Sequence, residues 1–272
     1  MEQPVLLLDP LSDAPDYRAL EEAVLGDVYF ARPIRFAFER IGSVAGRTVV
    51  DMGCGLGHLS VYFALHGARV VGFDINETSL AAARELGAKW NVADRCRFLC
   101  CRSEQMAIGT HAADLVFSRS TLQYADRQEV FKECLRVLRP GGSLILLENL
   151  PHSPFINLYR VWRRMRARRP EDVAYVRSIR GYLTHAEVRR WEDQFAQAAH
   201  KDFHLLAVLA LALRRKYRRC PVVRAFDSAV ERLDDLLFAA LPFMRRLAWL
   251  VAVVGLGKKA DAGEADAAGG AR

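Results

Sequence analysis

The stretch TVVDMGCGLGHLS, Thr48 to Ser60, decides how the rest of the chain is read. Its first three residues are apolar and β-branched, the composition of a short buried parallel strand. Asp51 ends that run, and Gly53, Gly55 and Gly57 follow at alternate positions. His58 to Leu65 (HLSVYFAL) then reads as a helix. A strand, a glycine turn and a helix make a ligand-binding crevice at the carboxyl end of a parallel sheet. Glycine there lets the backbone pass close beneath a ligand where a Cβ would collide.

A glycine loop alone is a weak signal, and the next segment sharpens it. Arg69 to Asp74 (RVVGFD) is a second strand ending in a carboxylate 21 residues beyond Gly53. An acidic residue near that spacing grips ribose hydroxyls in βαβ nucleotide sites. The dinucleotide pattern G-x-G-x-x-G requires glycine at position 58, where histidine stands, so the loop is D-x-G-x-G-x-G instead.

Outward from this unit, Asp16–Leu25 and Tyr29–Ile41 read as helices, with Pro33 in the first turn of the second. Asn76 caps a helix from Glu77 to about Trp90, and strands follow at Arg95–Cys100 and Ala113–Ser118. Asp126 with Glu129 three residues on has the capping-box pattern. The helix it opens stops at Arg139-Pro140-Gly141-Gly142, and SLILLENL is a fifth strand. Strands alternating with helices imply an α/β doubly wound parallel sheet.

Taken in order, DMGCGLG, GFDIN, FLCCRSEQM, ADLVFSRSTLQYA and LRVLRPGGSLILLE resemble the motifs of the class I S-adenosylmethionine-dependent methyltransferases. The chain is similar in particular to the small-molecule enzymes of ubiquinone and menaquinone biosynthesis. The resemblance covers residues 48–150 and implies a seven-stranded Rossmann-like sheet with S-adenosyl-L-methionine as cofactor. It implies that Asp51, Gly53, Gly55 and Gly57 shape the methionyl pocket, that Asp74 accepts from both ribose hydroxyls, and that Ile75 lies on the adenine. The family commonly has an aspartate for the adenine amine where Arg102 stands, and arginine cannot accept that hydrogen bond. The Ser103 N–H and the Glu104 side chain are the substitutes. Ser118 and Arg119 fall where the family's backbone meets the methionyl end, and Leu122 and Tyr124 where the transferring methyl is flanked. His152, just after the fifth strand, is the candidate base for an oxygen acceptor.

Helices over residues 1–47 thus precede a cofactor-binding core at 48–150, a substrate cap with closing strands at 151–257, and a flexible tail at 258–272. In the mostly helical cap, Pro151–Arg180 is an insertion with basic helical turns. Thr184 caps a helix with Val188, Trp191 and Phe195 on one face. Phe203–Leu213 suits a strand or a helix equally, Pro221–Leu241 is helical, and Leu247–Leu256 is the closing strand.

With 51% hydrophobic residues in 272, the chain is not a disordered one. The longest uncharged apolar runs, 205–213 and 247–257, fall short of the ~20 residues a membrane span needs. No basic segment precedes the first apolar run, so no signal peptide is expected. The six cysteines form no C-x-x-C pair, and His200 and His204 lack a third ligand, so reduced cytoplasmic thiols and no metal are expected.

The net charge of +7 is concentrated in the arginines of 159–169 and 213–219. Such clusters meet nucleic acid, anionic lipid or acidic substrates, or are simply solvated helix faces. The function these features favour is methyl transfer to a small, amphipathic or lipid-linked acceptor in a biosynthetic pathway, with peripheral membrane contact through the arginine-rich segments as an accompanying expectation. An RNA or DNA methyltransferase is the enzyme alternative, against which SRSTLQYA lacks the Asn/Asp-Pro-Pro-aromatic signature of base-amino enzymes. A non-catalytic cofactor-binding or membrane-associated protein is the third; a NAD dehydrogenase has least support.

Overall fold

The computed structural model of the chain describes residues 6–167, 170–217 and 220–260. Arg168, Arg169, Arg218 and Arg219 of the basic clusters, and the tail beyond residue 260, lie outside the described residues. The strands are β1 (Thr48–Met52), β2 (Arg69–Asp74), β3 (Cys96–Cys100), β4 (Ala113–Arg119), β5 (Leu138–Asn149), β6 (Phe195–Phe203) and β7 (Leu250–Lys258). They form one seven-stranded sheet in the order β3-β2-β1-β4-β5-β7-β6. The first five run parallel, and β7 is antiparallel to both β5 and β6. The order reverses between β1 and β4, which opens the crevice that a glycine loop at the end of β1 serves.

Alternation along the strands explains their unbroken apolar runs. Val49, Leu115, Phe117, Ile145, Leu147, Ala252 and Val254 point to one face of the sheet. Val50, Val116, Leu144, Leu146, Val251 and Val253 point to the other. Helices α1 (Pro15–Leu25), α2 (Ala31–Ile41) and α3 (His58–Leu65) cover the first face with Tyr17, Ile34, Phe38 and Phe63. Between α4 (Glu77–Lys89) and β3, Leu80 and Ala83 meet Phe98. The second face takes α5 (Arg127–Val137) and α8 (His185–Glu192) through Val130, Cys134, Val188 and Trp191. The Thr184 capping box is complete, whereas at α5 only the Asp126 half forms, accepting from the Gln128 and Glu129 N–H groups.

The cap consists of α6 (Pro154–Arg166), α7 (Pro170–Ser178), α9 (Ala207–Lys216) and α10 (Pro221–Ala240). Phe203–Leu213 resolves into the last residue of β6 and the start of α9. The side chain that decides this is distant: the buried Asp234 carboxylate of α10 accepts from the N–H groups of Leu205, Leu206 and Ala207 at 2.8–3.1 Å. It thereby satisfies donors that open a helix. The expected helix from Thr184 is also shorter, since Phe195 begins β6. Lys258, placed in the tail by its sequence context, is the buried last residue of β7, and its Nζ donates to the Leu135 carbonyl at 2.7 Å. His200 and His204 share no helix face: His200 lies in β6 against Glu192, and His204 is buried with Nε2 on the Tyr29 carbonyl. No described helix is long and apolar enough to cross a membrane.

Candidate active site

The glycine loop is fastened by its own backbone. The N–H groups of Gly53 and Cys54 donate to the Phe73 carbonyl at 2.9 and 3.0 Å, and that of Gly57 closes a turn on the Cys54 carbonyl at 3.0 Å. All three glycines have positive φ, of 70°, 52° and 79°, in the left-handed region that disfavours a Cβ. Their surroundings differ. A Cβ on Gly53 would strike the Thr121 side chain, and one on Gly57 the Ala83 backbone and side chain. Only at Gly55 would it enter open space. Gly53 and Gly57 therefore serve close packing, and of the three Gly55 alone borders a cradle open enough to take a Cβ.

Asp74 ends β2 beside that cradle. Its Oδ2 accepts from the Gly55 N–H and its Oδ1 from the Asn76 N–H, both at 3.0 Å. A carboxylate has about four lone-pair sites, so one on each oxygen is left for a ligand. Ile75 beside it is 71% exposed. Ser103 is buried nearby. Glu104 is committed elsewhere: its Oε1 accepts from the Asp126 N–H and from Arg102, and it pairs with Arg180 of the segment before α8. Burial raises its pKa, but those hydrogen bonds and the Arg102 charge outweigh it and hold the carboxyl below its ordinary value.

Asp51, 2% exposed, turns away from solvent and accepts the Ser60 hydroxyl at 2.6 Å. Burial pushes it up to about 6 against the Ser60 hydrogen bond and the Arg119 charge. Arg119, at the end of β4, lies over the Phe30 ring, and its Nη1 is buried with no hydrogen-bond partner. Such a donor is costly unless a ligand satisfies it.

Glu148 of β5 organises the turn after β4, and its place inside the apolar run SLILLENL was the signal for it in the sequence. Its Oε1 accepts from the Ser118 hydroxyl at 2.8 Å and from the N–H groups of Thr121 and Leu122 at 3.1 and 3.4 Å. Burial raises its pKa to about 7. Thr121 in turn donates its hydroxyl to the Met52 carbonyl, tying this turn to the glycine loop. Ser118 and Leu122 are fully buried beneath the turn, whereas Tyr124 faces a cavity.

That cavity, of about 1100 Å³, lies between the turn and the cap. Its floor includes Ser120, Tyr124 and Asn149, and its walls Phe30, Tyr182 and Trp249. Ser120, at φ 55°, is held by its N–H on the Leu147 carbonyl and by Asn149 Nδ2 on its Oγ. Two members of the first basic cluster turn inward here. Arg160 stacks on Tyr182 at 3.6 Å and Arg163 on Tyr175 at 4.1 Å. Among the described residues neither has a carboxylate partner, and the lining contains no Asp, Glu or His. His152 is exposed and outside it.

Residues 50–146 match the family described as a methyltransferase domain. A 24-methylenesterol C-methyltransferase 2 of Oryza sativa subsp. japonica is 32% identical over 170 residues, 62% of this chain and 44% of that protein. A ubiquinone biosynthesis O-methyltransferase of Pseudomonas paraeruginosa is 37% identical over 125 residues, 45% of this chain and 52% of its own. The chain thus spans about half the length of the curated relatives it matches. The solved geranyl diphosphate C-methyltransferase from Streptomyces coelicolor A3(2) shares the fold, with a TM-score of 0.59 at 16% identity over 94% of this chain and 84% of that one. With the sheet order and the D-x-G-x-G-x-G loop, these matches assign residues 50–146 to the class I S-adenosylmethionine-dependent methyltransferase family.

Proposed function

We propose that the chain transfers the methyl group of S-adenosylmethionine to a small amphipathic acceptor lodged in the cavity beneath the cap. The observation that carries this is the shared turn: Thr121 packs on the glycine loop, while Ser120 and Tyr124, on either side of it, line the cavity. When bound, S-adenosylmethionine supplies a methyl group already activated on a sulfonium sulfur, so the protein's task is chiefly alignment and exclusion of water.

The chain's residues fit that cofactor. Asp74 holds the ribose hydroxyls with its remaining lone pairs, Ile75 covers the adenine, and Gly55 leaves room beneath. The unpartnered Arg119 Nη1 answers a carboxylate such as that of the methionyl end. Burial keeps the Tyr124 hydroxyl far above its ordinary pKa, so it acts as a neutral donor.

Among the described residues, the cavity lining offers an acceptor no carboxylate or imidazole. Arg160 and Arg163 instead favour an acceptor that is anionic or ionises easily beside them. Aromatic walls suit its apolar body. The relatives named for a sterol and for ubiquinone biosynthesis support an acceptor of mixed character. Titration calorimetry with S-adenosylhomocysteine and with NAD tests the assignment: saturable binding of the first alone is expected, and binding of NAD alone overturns it.

A further inference from the structure

The outer surface of the cap is apolar at helical spacing. On α6, Leu158, Val161, Trp162 and Met165 recur at intervals of three and four and are 71%, 51%, 44% and 71% exposed. The other side of this helix, with Phe155, Ile156 and Arg160, faces the cavity. On α10, Val222, Phe226, Leu233 and Leu236 form a second stripe, 76%, 51%, 45% and 67% exposed. Helix α9 packs against both α6 and α10 and adds the exposed Leu209, Leu213 and Tyr217. Monomeric soluble proteins rarely leave contiguous apolar surface of this kind bare.

Charge is sorted across the same helices. The four carboxylates of α10 turn inward: Asp227 and Glu231 pair with Arg214, Asp235 with Arg32, and Asp234 caps α9. Arg232 is left exposed beside the α10 stripe, and α6 carries no acidic residue; of its four arginines, Arg160 and Arg163 turn into the cavity and Arg164 and Arg166 are exposed. Apolar stripes level with cations, with the anions withdrawn, match an interface of acyl chains beneath anionic headgroups. The cavity opens on this side, because its lining residues Tyr159, Arg164, Leu209 and Lys216 are exposed and belong to α6 and α9.

We propose that the α6–α9–α10 face seats the protein on an anionic lipid surface, with the mouth of the cavity toward the bilayer. An amphipathic ligand then passes from lipid into the cavity without crossing water. The stripe residues of α6 and α10 lie outside the cavity lining, so seating and acceptor binding are separable by mutation.

Co-sedimentation of the full chain with phosphatidylcholine vesicles containing increasing phosphatidylglycerol tests this. The pelleted fraction should rise with phosphatidylglycerol and fall with salt. The combined variant Leu158→Gln, Trp162→Gln, Met165→Gln and Phe226→Gln should lower partitioning by about tenfold or more. Its S-adenosylhomocysteine affinity should stay at the wild-type value. Arg166→Gln with Arg232→Gln, which removes only exposed charge beside the two stripes, gives an independent reading if the apolar variant does not fold: it should weaken binding at low salt and flatten the salt dependence. Wild-type protein that stays in the supernatant with phosphatidylglycerol-rich vesicles at low salt overturns the proposal. So does equal pelleting of wild type and both variants. A concentration-dependent dimer abolished by the apolar variant, with no vesicle binding, overturns it in favour of a second copy of the chain.

Discussion

The two ends of the cleft are made of different material. At the end proposed for the cofactor, turns of positive φ, backbone N–H groups and one carboxylate lie together, all within residues 51–76. At the end proposed for the acceptor, side chains from Tyr29 to Trp249 converge from α6, α7 and α9, from the end of β5 and from the connecting segments, with no backbone motif among them. A backbone site tolerates few sequences and is shared across a family. A side-chain site can be rebuilt one residue at a time, which is how one fold hosts many functions.

The largest effect that separates the two ends is expected at Asp74. On the proposed reading Asp74→Ala removes an acceptor of two ribose hydrogen bonds, each about 1.5–3 kcal/mol when one partner is charged. Affinity for S-adenosylhomocysteine should drop roughly a hundredfold or more in calorimetry. Arg163→Gln, at the other end, should leave that affinity unchanged. Equal losses in both variants would mean that the ends are one site.

Glu148 lies between the ends and should reveal itself through pH. Its carboxyl titrates near 7 in the native protein, against 4.5 as its ordinary value. Below pH 4.5 both states are protonated and it costs nothing. Between 4.5 and 7 the unfolded chain has released the proton while the native state retains it, so this contribution to stability falls as pH rises. Above 7 the penalty is complete, on the order of 3 kcal/mol. Glu148→Gln keeps the Oε1 acceptor and removes the titration. The difference in Tm, variant minus wild type, should therefore grow between pH 4.5 and 7.5. Parallel pH profiles would show that Glu148 does not titrate in this range.

The same contrast explains what could be read from the chain. Strands β1 to β4, the loop and Asp74 are local patterns, and each appears within two residues of its expected place, whereas β5 begins at Leu138, five residues before the expected run SLILLENL, and takes in the Arg139–Gly142 segment read as a break. The cap resisted because its decisive contacts are remote. Asp234 caps a helix that begins 27 residues earlier, and Arg32 of α2 holds Asp235. Arg160 and Arg163 belong to a cluster that its sequence leaves open to nucleic acid, anionic lipid, acidic substrate or solvent, and the aromatic partners Tyr182 and Tyr175 reveal these two as cavity walls. Within the loop, three glycines at alternate positions looked equivalent, yet two answer to neighbours at positions 121 and 83.

A smaller effect tests whether the cap opens independently of the sheet. Arg214, its side chain 12% exposed, binds Asp227 at 2.9 Å and Glu231 at 3.2 Å. Burial raises the pKa of both carboxyls despite Arg214 and Arg32. Arg214→Met leaves those carboxylates sharing only Arg32 and should destabilise the packing of α9 against α10 by roughly 2 kcal/mol. Hydrogen exchange should quicken in α9 and α10 and stay unchanged in β1, β4 and β5. Uniform acceleration would make cap and sheet one cooperative unit.

The smallest effect on stability, and the sharpest on the cofactor end, is expected at Gly55. Alanine at φ 52° costs about 1–2 kcal/mol in backbone conformation alone. Its Cβ meets nothing within 4 Å, so no clash adds to that cost. Gly53→Ala carries a comparable backbone cost at φ 70° and in addition drives a Cβ into Thr121, which holds the turn to Met52. Thermal unfolding should accordingly rank Gly53→Ala well below Gly55→Ala in stability. Calorimetry should show a second distinction: Gly55→Ala, folded and only slightly destabilised, should lose S-adenosylhomocysteine affinity because the methyl fills the cradle the cofactor needs. If Gly55→Ala binds as the wild type does, the open space beneath Gly55 is solvent, and the cofactor end is held by Asp74 and its neighbours without the loop.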